Sequence, residues 1–372
     1  MVNLEWLPGV LEERFGVKPT MTYIGKIEEA SHGYMSQIKR VKLEWPEGRE
    51  KEKLPDSVVV KAPVPGTAAD AWVSSMGDME EEEKRRQAAD AAAKMKKVQD
   101  MTHTTEQQLY DLFDHDYPSP IAIPKCYACF DLQSTHPAIV MEDITNATIY
   151  DIYEGFTEKQ IRAIHDAIID MQDTDLIDSF TTMMKASMEA LMVQQPKHAE
   201  ALQKMLNHVL CNASWFTDYY KEYDTHKFSV LTHGDMWSPQ FLWRGDKLAA
   251  IVDWQLAHPG NAAEDLLRLT TLCMPAMERK RLNNDLIEYH YKELCSRLAK
   301  KGAPPPPFTN EEFLEEYKNN LPYAAAMQIF AFCMFSHSPV LLTGKGDDEE
   351  RVNELLERMM ALVNECIEAY GW

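Results

Sequence analysis

Apolar residues near the N-terminus recur at the spacing of an amphipathic helix. Leucine, valine and phenylalanine share one helical face across residues 3–16, so we predict a helix there. Alternating and β-branched runs follow, and they predict strands at 20–29, 34–45 and 57–61. A turn at Ser31-His32-Gly33 joins the first two strands as a hairpin.

The next segment changes to helical character. Residues 78–97 are rich in glutamate, lysine, arginine and alanine, which are strong helix formers, and we interpret them as a solvated helix. A further helix is expected from Glu106 to Phe113. Two more strands are predicted at 123–132 and 138–141.

Beyond residue 157 the apolar spacing is nearly all helical. It predicts a helix at 161–171, one or two helices across 180–221, and further helices from residue 263 onward. The apolar stretch 324–335 is too short to cross a membrane and predicts a buried helix. Four prolines at 304–307 predict a stiff loop. Only 230–254 departs from this pattern, with short apolar runs separated by glycine and proline.

The order of these elements predicts an α+β fold with two lobes. A chain of 372 residues is long for one core. Three strands, a helix and two strands form a small antiparallel N-lobe over residues 1–141. A larger, mostly helical C-lobe follows over residues 142–372.

The charge balance limits the classes of partner. The formal net charge is −21, whereas nucleic acids and anionic membranes attract basic surfaces, so neither is an expected partner. No run of about 20 apolar residues and no signal-peptide pattern is present, which predicts a cytoplasmic protein. The sequence does not indicate an oligomeric state.

The cysteines favour reduced thiols. There are seven, scattered along the chain. Cys126 and Cys129 form one C-x-x-C on a predicted strand, where residues three apart point to opposite faces. No second C-x-x-C completes a zinc site, so we favour a structural role over a redox or metal role.

The chemistry concentrates in the non-helical segment of the C-terminal half. His233-Gly234-Asp235 follows one apolar run, and Asp253 ends the next, beyond a Gly-Asp turn. Such a hairpin would bring the two acids towards one cleft. Phosphoryl transfer uses one carboxylate to orient and deprotonate the attacking hydroxyl and another to hold magnesium.

The spacing matches a known template. Protein kinases have H-x-D, four residues, an asparagine and a later metal-binding aspartate. Here Gln240 follows Asp235 after four intervening residues, with Asp253 further on. The segment resembles the loop of aminoglycoside phosphotransferases and choline kinases. With Asp253-Trp254-Gln255 and residues 263–269, it looks most like the ecdysteroid-kinase-like (choline-kinase-like) family, in its nematode branch.

The resemblance implies a protein-kinase-like fold and ATP- and magnesium-dependent phosphorylation of a small-molecule alcohol. Asp235 would be the catalytic base and Asp253 a magnesium ligand. His233 would brace the loop, although a proton carrier is the alternative. Asp265 would also brace the loop, and Gln240 would be a second metal ligand.

The nucleotide site is likewise implied by the resemblance. Lys61 would bind the α- and β-phosphates, paired with Glu106, for which residues 80–83 are competitors. The loop residues Ser31, Gly33 and Ser36 would cover the phosphates. Met141, Glu142 and Ile144 would form the hinge, where backbone groups of Glu142 and Ile144 bind adenine.

Gln240 is a departure from the family pattern, because its amide oxygen lies one methylene further out than that of asparagine. Magnesium requires near-octahedral geometry, so a pseudokinase that binds without transfer is the first alternative. A protein kinase is a second, but no Ala-Pro-Glu or Asp-Phe-Gly is present. A metal-dependent hydrolase using Asp235, Asp253 and His233 is a third. The acceptor stays open among steroid-like, choline-like and glycoside-like alcohols, and Tyr219, Tyr220, Tyr323 and Phe332 are candidates to line its pocket or the core.

Overall fold

A computed structural model describes most of the chain. The described residues are 3–26, 36–48, 54–63, 96, 99–111, 122–149, 157, 178–211, 215–223, 226–339 and 341–372. They fall in two compact units, one formed by 1–149, 242–245 and 249–255, the other by 150–241, 246–248 and 256–372. The predicted lobe boundary at residues 141 and 142 stays a prediction. The predicted turn at 31–33, the helix at 161–171 and nearly all of the helix at 78–97 lie outside the described residues.

The first unit is built on a five-stranded antiparallel sheet. Its strands are β1 (Thr20–Lys26), β2 (Ser36–Glu44), β3 (Ser57–Pro63), β4 (Cys126–Phe130) and β5 (Ala138–Glu142), in the order β1-β2-β3-β5-β4. The central strand β3 pairs Val58 with Val41 of β2 and Val59 with Met141 of β5. All five predicted strands are therefore present, with ends that shift by a few residues.

The alternation of side chains along β3 gives the sheet two different faces. Val58, Val60 and Ala62 belong to one cluster with leucines of the first helix. Val59 belongs to another cluster, with Tyr110 of the second helix. Because successive strand residues point to opposite faces, Lys61 lies on the same face as Val59. The alternation along the strand therefore places Lys61 on the face that packs against the second helix.

Helix α1 (Leu7–Phe15) is shorter than the predicted helix at 3–16. Its start is delayed because Oδ1 of Asn3 accepts a hydrogen bond from the N–H of Glu5 at 3.0 Å, a local turn that competes with helix. It ends at Gly16, whose φ of 73° is left-handed.

Helix α2 covers residues 99–111 and begins earlier than the predicted start at Glu106. Thr102 and Thr104, before the predicted start, lie inside the helix. The hydroxyl of Thr102 donates to the carbonyl of Gln99 at 3.0 Å, and that of Thr104 to Asp100 at 2.9 Å. Threonine hydroxyls bond to preceding carbonyls in this way within helices.

The prediction that Cys126 and Cys129 point to opposite faces is wrong. Their sulfur atoms are 3.4 Å apart, and both are free thiols. The register of β4 against β5 shifts between Cys126 and Ala128. Such a bulge inserts one residue into the strand, so residues three apart come to the same side.

The second unit is mostly helical. Its helices are α3 (Asp178–Gln194), α4 (Ala199–His208), α5 (Trp215–Tyr223), α6 (Glu264–Cys273), α7 (Ala276–Lys300), α8 (Asn310–Asn319), α9 (Leu321–Phe335) and α10 (Asp348–Tyr370). Strands β6 (Ser229–Thr232) and β9 (His258–Asn261) form an antiparallel pair. Between them in sequence come a 3₁₀ turn (Ser238–Gln240) and the paired strands β7 (Phe241–Arg244) and β8 (Lys247–Ile251).

The antiparallel sheet and the helical C-terminal part confirm the predicted α+β fold class. The buried helix at 324–335 is confirmed within α9, and the loop at 304–307 lies between α7 and α8. The region 180–221 holds three helices rather than one or two, because Pro196 interrupts it after α3. Within the described part of the chain, no helix is long and apolar enough to cross a membrane.

Candidate active site

Lys61 lies between two carboxylates of the first unit. Its Nζ donates to Oε2 of Glu106 at 2.5 Å and to Oδ1 of Asp253. Glu106 comes one helical turn before the buried Tyr110 on α2, so both face the sheet. The structure therefore brings together the predicted pair Lys61 and Glu106 and adds Asp253 to it. The competing acids at 80–83 lie outside the described residues.

Burial makes this charge cluster strongly coupled. The side chains of Lys61 and Glu106 are 7% and 1% exposed, while that of Asp253 is 24% exposed. Burial by itself would lower the pKa of Lys61, but the carboxylates of Asp253 and Glu106 outweigh it, so the pKa is raised. Lys61 thus stays a cation, and Asp253 is the one of the two carboxylates that reaches solvent.

Asp253 adopts an unusual backbone conformation. Its φ of 67° is in the left-handed region, which aspartate and asparagine tolerate better than most residues. It follows β8, whose last residue Ile251 donates its N–H to the carbonyl of Ala122 at 2.6 Å. The indole N–H of Trp254 donates back to the carbonyl of Ile251 at 3.2 Å. These contacts fix the segment on both sides of Asp253.

The predicted hinge begins within the last two residues of β5, Met141 and Glu142, and continues to Ile144. Met141 is buried, and Tyr110 donates its hydroxyl proton to the sulfur of Met141 at 3.9 Å. The N–H of Glu142 donates to the carbonyl of Lys125 at 2.8 Å, so this N–H is already used within the sheet. Of the N–H groups of the two predicted adenine-binding residues, that of Ile144 is the remaining candidate.

Asp143, between Glu142 and Ile144, makes stabilising contacts that the sequence did not predict. Its carboxylate accepts a bidentate pair from Arg40 at 2.7 and 3.0 Å and the hydroxyl proton of Ser57 at 2.6 Å. These bonds hold the end of β5 against β2 and β3. Ser36 opens β2 opposite Pro63, whereas Ser31 and Gly33 lie outside the described residues.

In the second unit, strand β6 leads directly into His233, Gly234 and Asp235. Asp265, in the first turn of α6, accepts the N–H of His233 at 2.6 Å on Oδ2 and that of Gly234 at 3.0 Å on Oδ1. Burial, and next the nearby Glu264, raise the pKa of Asp265 to about 7, although the two loop N–H groups oppose this. Asp265 therefore braces the loop, as expected.

Gly234 allows the loop to make this turn. Its φ is 77°, and a Cβ added there would lie 2.5 Å from the carbonyl oxygen of Leu256. Both the backbone angle and the space thus require glycine. The spacing H-G-D in the sequence reflects this constraint.

His233 is fully buried and acts within the loop. Its Nδ1 accepts the N–H of Asp235 at 3.2 Å. An accepting Nδ1 places the ring proton on Nε2 in the neutral form. This geometry favours the brace over the proton carrier as the role of His233.

Asp235 has partners at each oxygen. Oδ1 accepts from Nη2 of Arg268 at 2.8 Å, and Oδ2 faces Nε2 of Gln240 at 3.4 Å. Gln240 thus turns its amide nitrogen, not its oxygen, towards Asp235. Sequence reasoning missed Arg268. The available signal was a single cation within an otherwise apolar run on α6.

A second buried cluster lies at the start of α6. Glu264 accepts the hydroxyl proton of Tyr323 at 3.0 Å, and its carboxylate lies 3.3 Å from the hydroxyl oxygen of Tyr219 and 3.3 Å from Nε2 of His258. Nδ1 of His258 is 2.7 Å from the carbonyl of Leu256. Burial would lower the pKa of His258, but the Glu264 carboxylate outweighs it, and the pKa is raised. With an acceptor at each nitrogen, the imidazolium form fits this place.

The described aromatic residues that were candidates for the pocket or the core pack in the core. The rings of Tyr219 and Tyr323 stack at 4.2 Å, and Phe332 is buried. Trp237 stacks on Phe335 at 4.4 Å, and Trp254 is 2% exposed. The side chain of Tyr220 lies outside the described part of the chain.

The model of the DUF1679 family, described as "Uncharacterized oxidoreductase dhs-27", matches residues 11–209 and 173–371. The Caenorhabditis elegans protein of that name is 24% identical over 361 residues, which are 88% of this chain and 41% of that protein. The chain therefore spans about two fifths of the length of that curated relative.

Several solved structures are similar at low identity. The gentamicin complex of APH(2″)-IIa is 12% identical, with 98% of this chain and 99% of that chain covered and a TM-score of 0.44. An aminoglycoside phosphotransferase-like protein from Ralstonia eutropha is 10% identical, with 98% and 99% covered and a TM-score of 0.47. Macrolide 2′-phosphotransferase MphH from Brachybacterium faecium is 13% identical, with 95% and 98% covered and a TM-score of 0.41.

Replacing Gly234 by alanine should destabilise the protein by more than its left-handed φ alone would explain. Gly234→Ala combines a left-handed φ with a 2.5 Å contact to a backbone oxygen. Gly245→Ala is the matched control, because its φ of 59° is also left-handed but nothing lies within 4 Å. We expect a loss of about 1–2 kcal/mol for Gly245→Ala and clearly more for Gly234→Ala in urea unfolding. Equal losses would contradict the close contact.

The contribution of His258 to stability should fall as pH rises. A histidine whose pKa is raised on folding stabilises fully below its unfolded value, about 6.5, and loses this effect as pH rises through the folded value. His258→Gln should therefore cost about 3–5 kcal/mol near pH 6, because Glu264 loses its partner, and less near pH 9. The free energy of unfolding at both pH values measures this. His208→Gln, at an exposed position, should show no such pH dependence.

Proposed function

This chain belongs to the DUF1679 family, and from that premise we propose that it is a kinase that uses ATP and magnesium to phosphorylate a hydroxyl group of a small molecule. One observation carries the proposal. Lys61 is buried between Glu106 on a helix and Asp253 at the end of a strand. A lysine held by a helix glutamate and placed beside a metal-binding aspartate is the arrangement with which protein kinases bind nucleotide phosphates.

Lys61 would bind the α- and β-phosphates while Glu106 holds it in place. A buried ammonium with two carboxylates carries one excess negative charge in the cluster. Phosphate oxygens would accept the hydrogen bond that Lys61 now donates to Asp253. Asp253 would then be released for a metal ion.

Asp253 is a suitable ligand for a magnesium ion, because this ion needs only one or two protein carboxylates. Magnesium in kinases takes one or two carboxylates and completes its shell with phosphates and water. Asp253 is the exposed member of its cluster. The described residues hold no group of three histidine, cysteine or acidic side chains able to bind a metal, so a metal-dependent hydrolase has no support among them. Gln240 as a second ligand stays a prediction.

Asp235 is proposed as the base that orients and deprotonates the acceptor. Its loop is braced by Asp265 and His233, so the carboxylate is held before substrate binds. Pre-organised positioning and electrostatics supply most of the catalysis in phosphoryl transfer. The hinge residues Met141 and Ile144 and the loop residue Ser36 are proposed to complete the nucleotide site.

Oxidoreductase chemistry is a second candidate because the curated relative carries that word in its name. However, 59% of that relative lies outside the alignment, so the word need not describe the shared part. Dinucleotide-binding domains need parallel strands and a G-x-G-x-x-G turn. The described five-stranded sheet is antiparallel, and the sequence has no such motif. We therefore favour the kinase.

The acceptor is proposed to be an alcohol of the steroid-like, choline-like or glycoside-like kind. This choice, and the assignment to the ecdysteroid-kinase-like family, rest on the sequence resemblance. A pseudokinase is the remaining alternative. It would bind nucleotide and fail to transfer phosphate, so the two experiments that follow separate it from an enzyme.

ATP with magnesium should raise the melting temperature of the wild type. A ligand at a hundred times its dissociation constant stabilises by about 2.7 kcal/mol. Asp253→Asn should abolish the magnesium-dependent part, because it removes the charge but tolerates the left-handed φ of 67°. Asp246→Asn, an exposed acid, is the matched control and should respond as the wild type does. A wild type that does not respond would refute the nucleotide site.

Phosphate transfer should depend on Asp235. We would screen steroid-like, choline-like and glycoside-like alcohols for transfer from γ-labelled ATP, and then compare Asp235→Asn with the wild type. Loss of a general base lowers the rate by about 10²–10⁴-fold. The stabilisation by ATP and magnesium should persist in this variant. Binding without transfer to any alcohol would favour the pseudokinase.

A further inference from the structure

Arg268 is the cation that faces Asp235 in the second unit. It lies on α6 and is 9% exposed. Its Nη2 donates to Oδ1 of Asp235 at 2.8 Å, and its Nη1 donates to the carbonyl of Met327 on α9 at 3.3 Å. The guanidinium is therefore held between a backbone oxygen and the proposed base.

The two oxygens of Asp235 are thereby unequal. Oδ1 has a charge-assisted hydrogen bond to a nearly buried arginine. Among the described residues, the hydrogen-bond partner of Oδ2 is the amide of Gln240, at 3.4 Å, which is a long contact. The Asp235 side chain is 15% exposed, so it reaches solvent in part. Oδ2 is the oxygen that a substrate can approach.

We propose that Arg268 is a positioning residue that holds Oδ1 of Asp235 and so assigns Oδ2 to the acceptor hydroxyl. This inference rests on the proposed function, in which Asp235 is the base. Oδ2 takes the hydroxyl proton while the acceptor oxygen forms its bond to the γ-phosphorus and the bond to the ADP oxygen breaks. The proton then passes from Asp235 to water.

An arginine suits this role better than a lysine. The planar guanidinium presents donors in a fixed fork, so one side chain reaches both the carboxylate and the Met327 carbonyl at set angles. An ammonium would keep the charge but would satisfy the two acceptors with less defined geometry. Arg268→Lys should therefore recover only part of the function.

The alternative is that Arg268 merely joins α6 to α9 and that its contact with Asp235 is incidental. A double-mutant cycle separates the two roles, because residues that act through one another give non-additive effects. The cycle compares wild type, Arg268→Met, Asp235→Asn and the double variant. The measured rate is magnesium-dependent ATP hydrolysis without added alcohol, in which water replaces the acceptor.

We expect Arg268→Met to lower the rate by about 10²-fold, the effect of a misplaced catalytic group, with ATP stabilisation unchanged. In the Asp235→Asn background the same change should have no further effect on the rate. Arg279→Met is the matched control. Arg279 is also a buried arginine paired with a carboxylate, that of Glu365, so its loss should lower stability and leave the rate unchanged.

An equal loss of rate from Arg268→Met in both backgrounds would overturn the positioning role while leaving the kinase proposal intact. If Arg268→Met does not fold, Arg268→Lys replaces it in the same cycle. A wild type that neither hydrolyses ATP nor is stabilised by ATP and magnesium would refute the proposed function itself, and the inference with it.

Discussion

The buried ammonium of Lys61 constrains how the first unit is arranged. A charge removed from water is costly unless opposite charges meet it, so Lys61 requires Glu106 and Asp253 at contact distance. That requirement fixes the register of β3, the face that α2 presents and the turn after β8. The left-handed backbone of Asp253 is local strain at the residue proposed to bind magnesium.

Helix α6 constrains the arrangement of the second unit in the same way. Three charged residues within its first five positions reach three different groups: Glu264 the imidazole of His258, Asp265 the loop N–H groups, and Arg268 the carboxylate of Asp235. Acids in the first turn also suit the positive end of the helix dipole. One short helix thereby sets the conformation of the loop and the environment of Asp235.

The sequence predicted those parts whose chemistry is local. The β-branched run located strand β3, the family resemblance implied Lys61 on it, and the H-G-D spacing located the loop. It could not reveal Arg268 or Asp143, because their partners are distant along the chain and only folding brings them together. Strand β9 was missed because its residues His258–Asn261 carry no β-branched signal, and they are buried through pairing with β6. The bulge at Cys126 is likewise set by pairing.

The same contacts limit what the net charge of −21 says about the substrate. Each proposed functional carboxylate has a cation of its own unit beside it, Lys61 for Asp253 and Arg268 for Asp235. Local pairing at a few ångströms outweighs distant surface charges, which water and salt screen over about 8–10 Å. The acidity of the chain therefore does not by itself favour a cationic acceptor, and selectivity for the alcohol must come from groups that touch it.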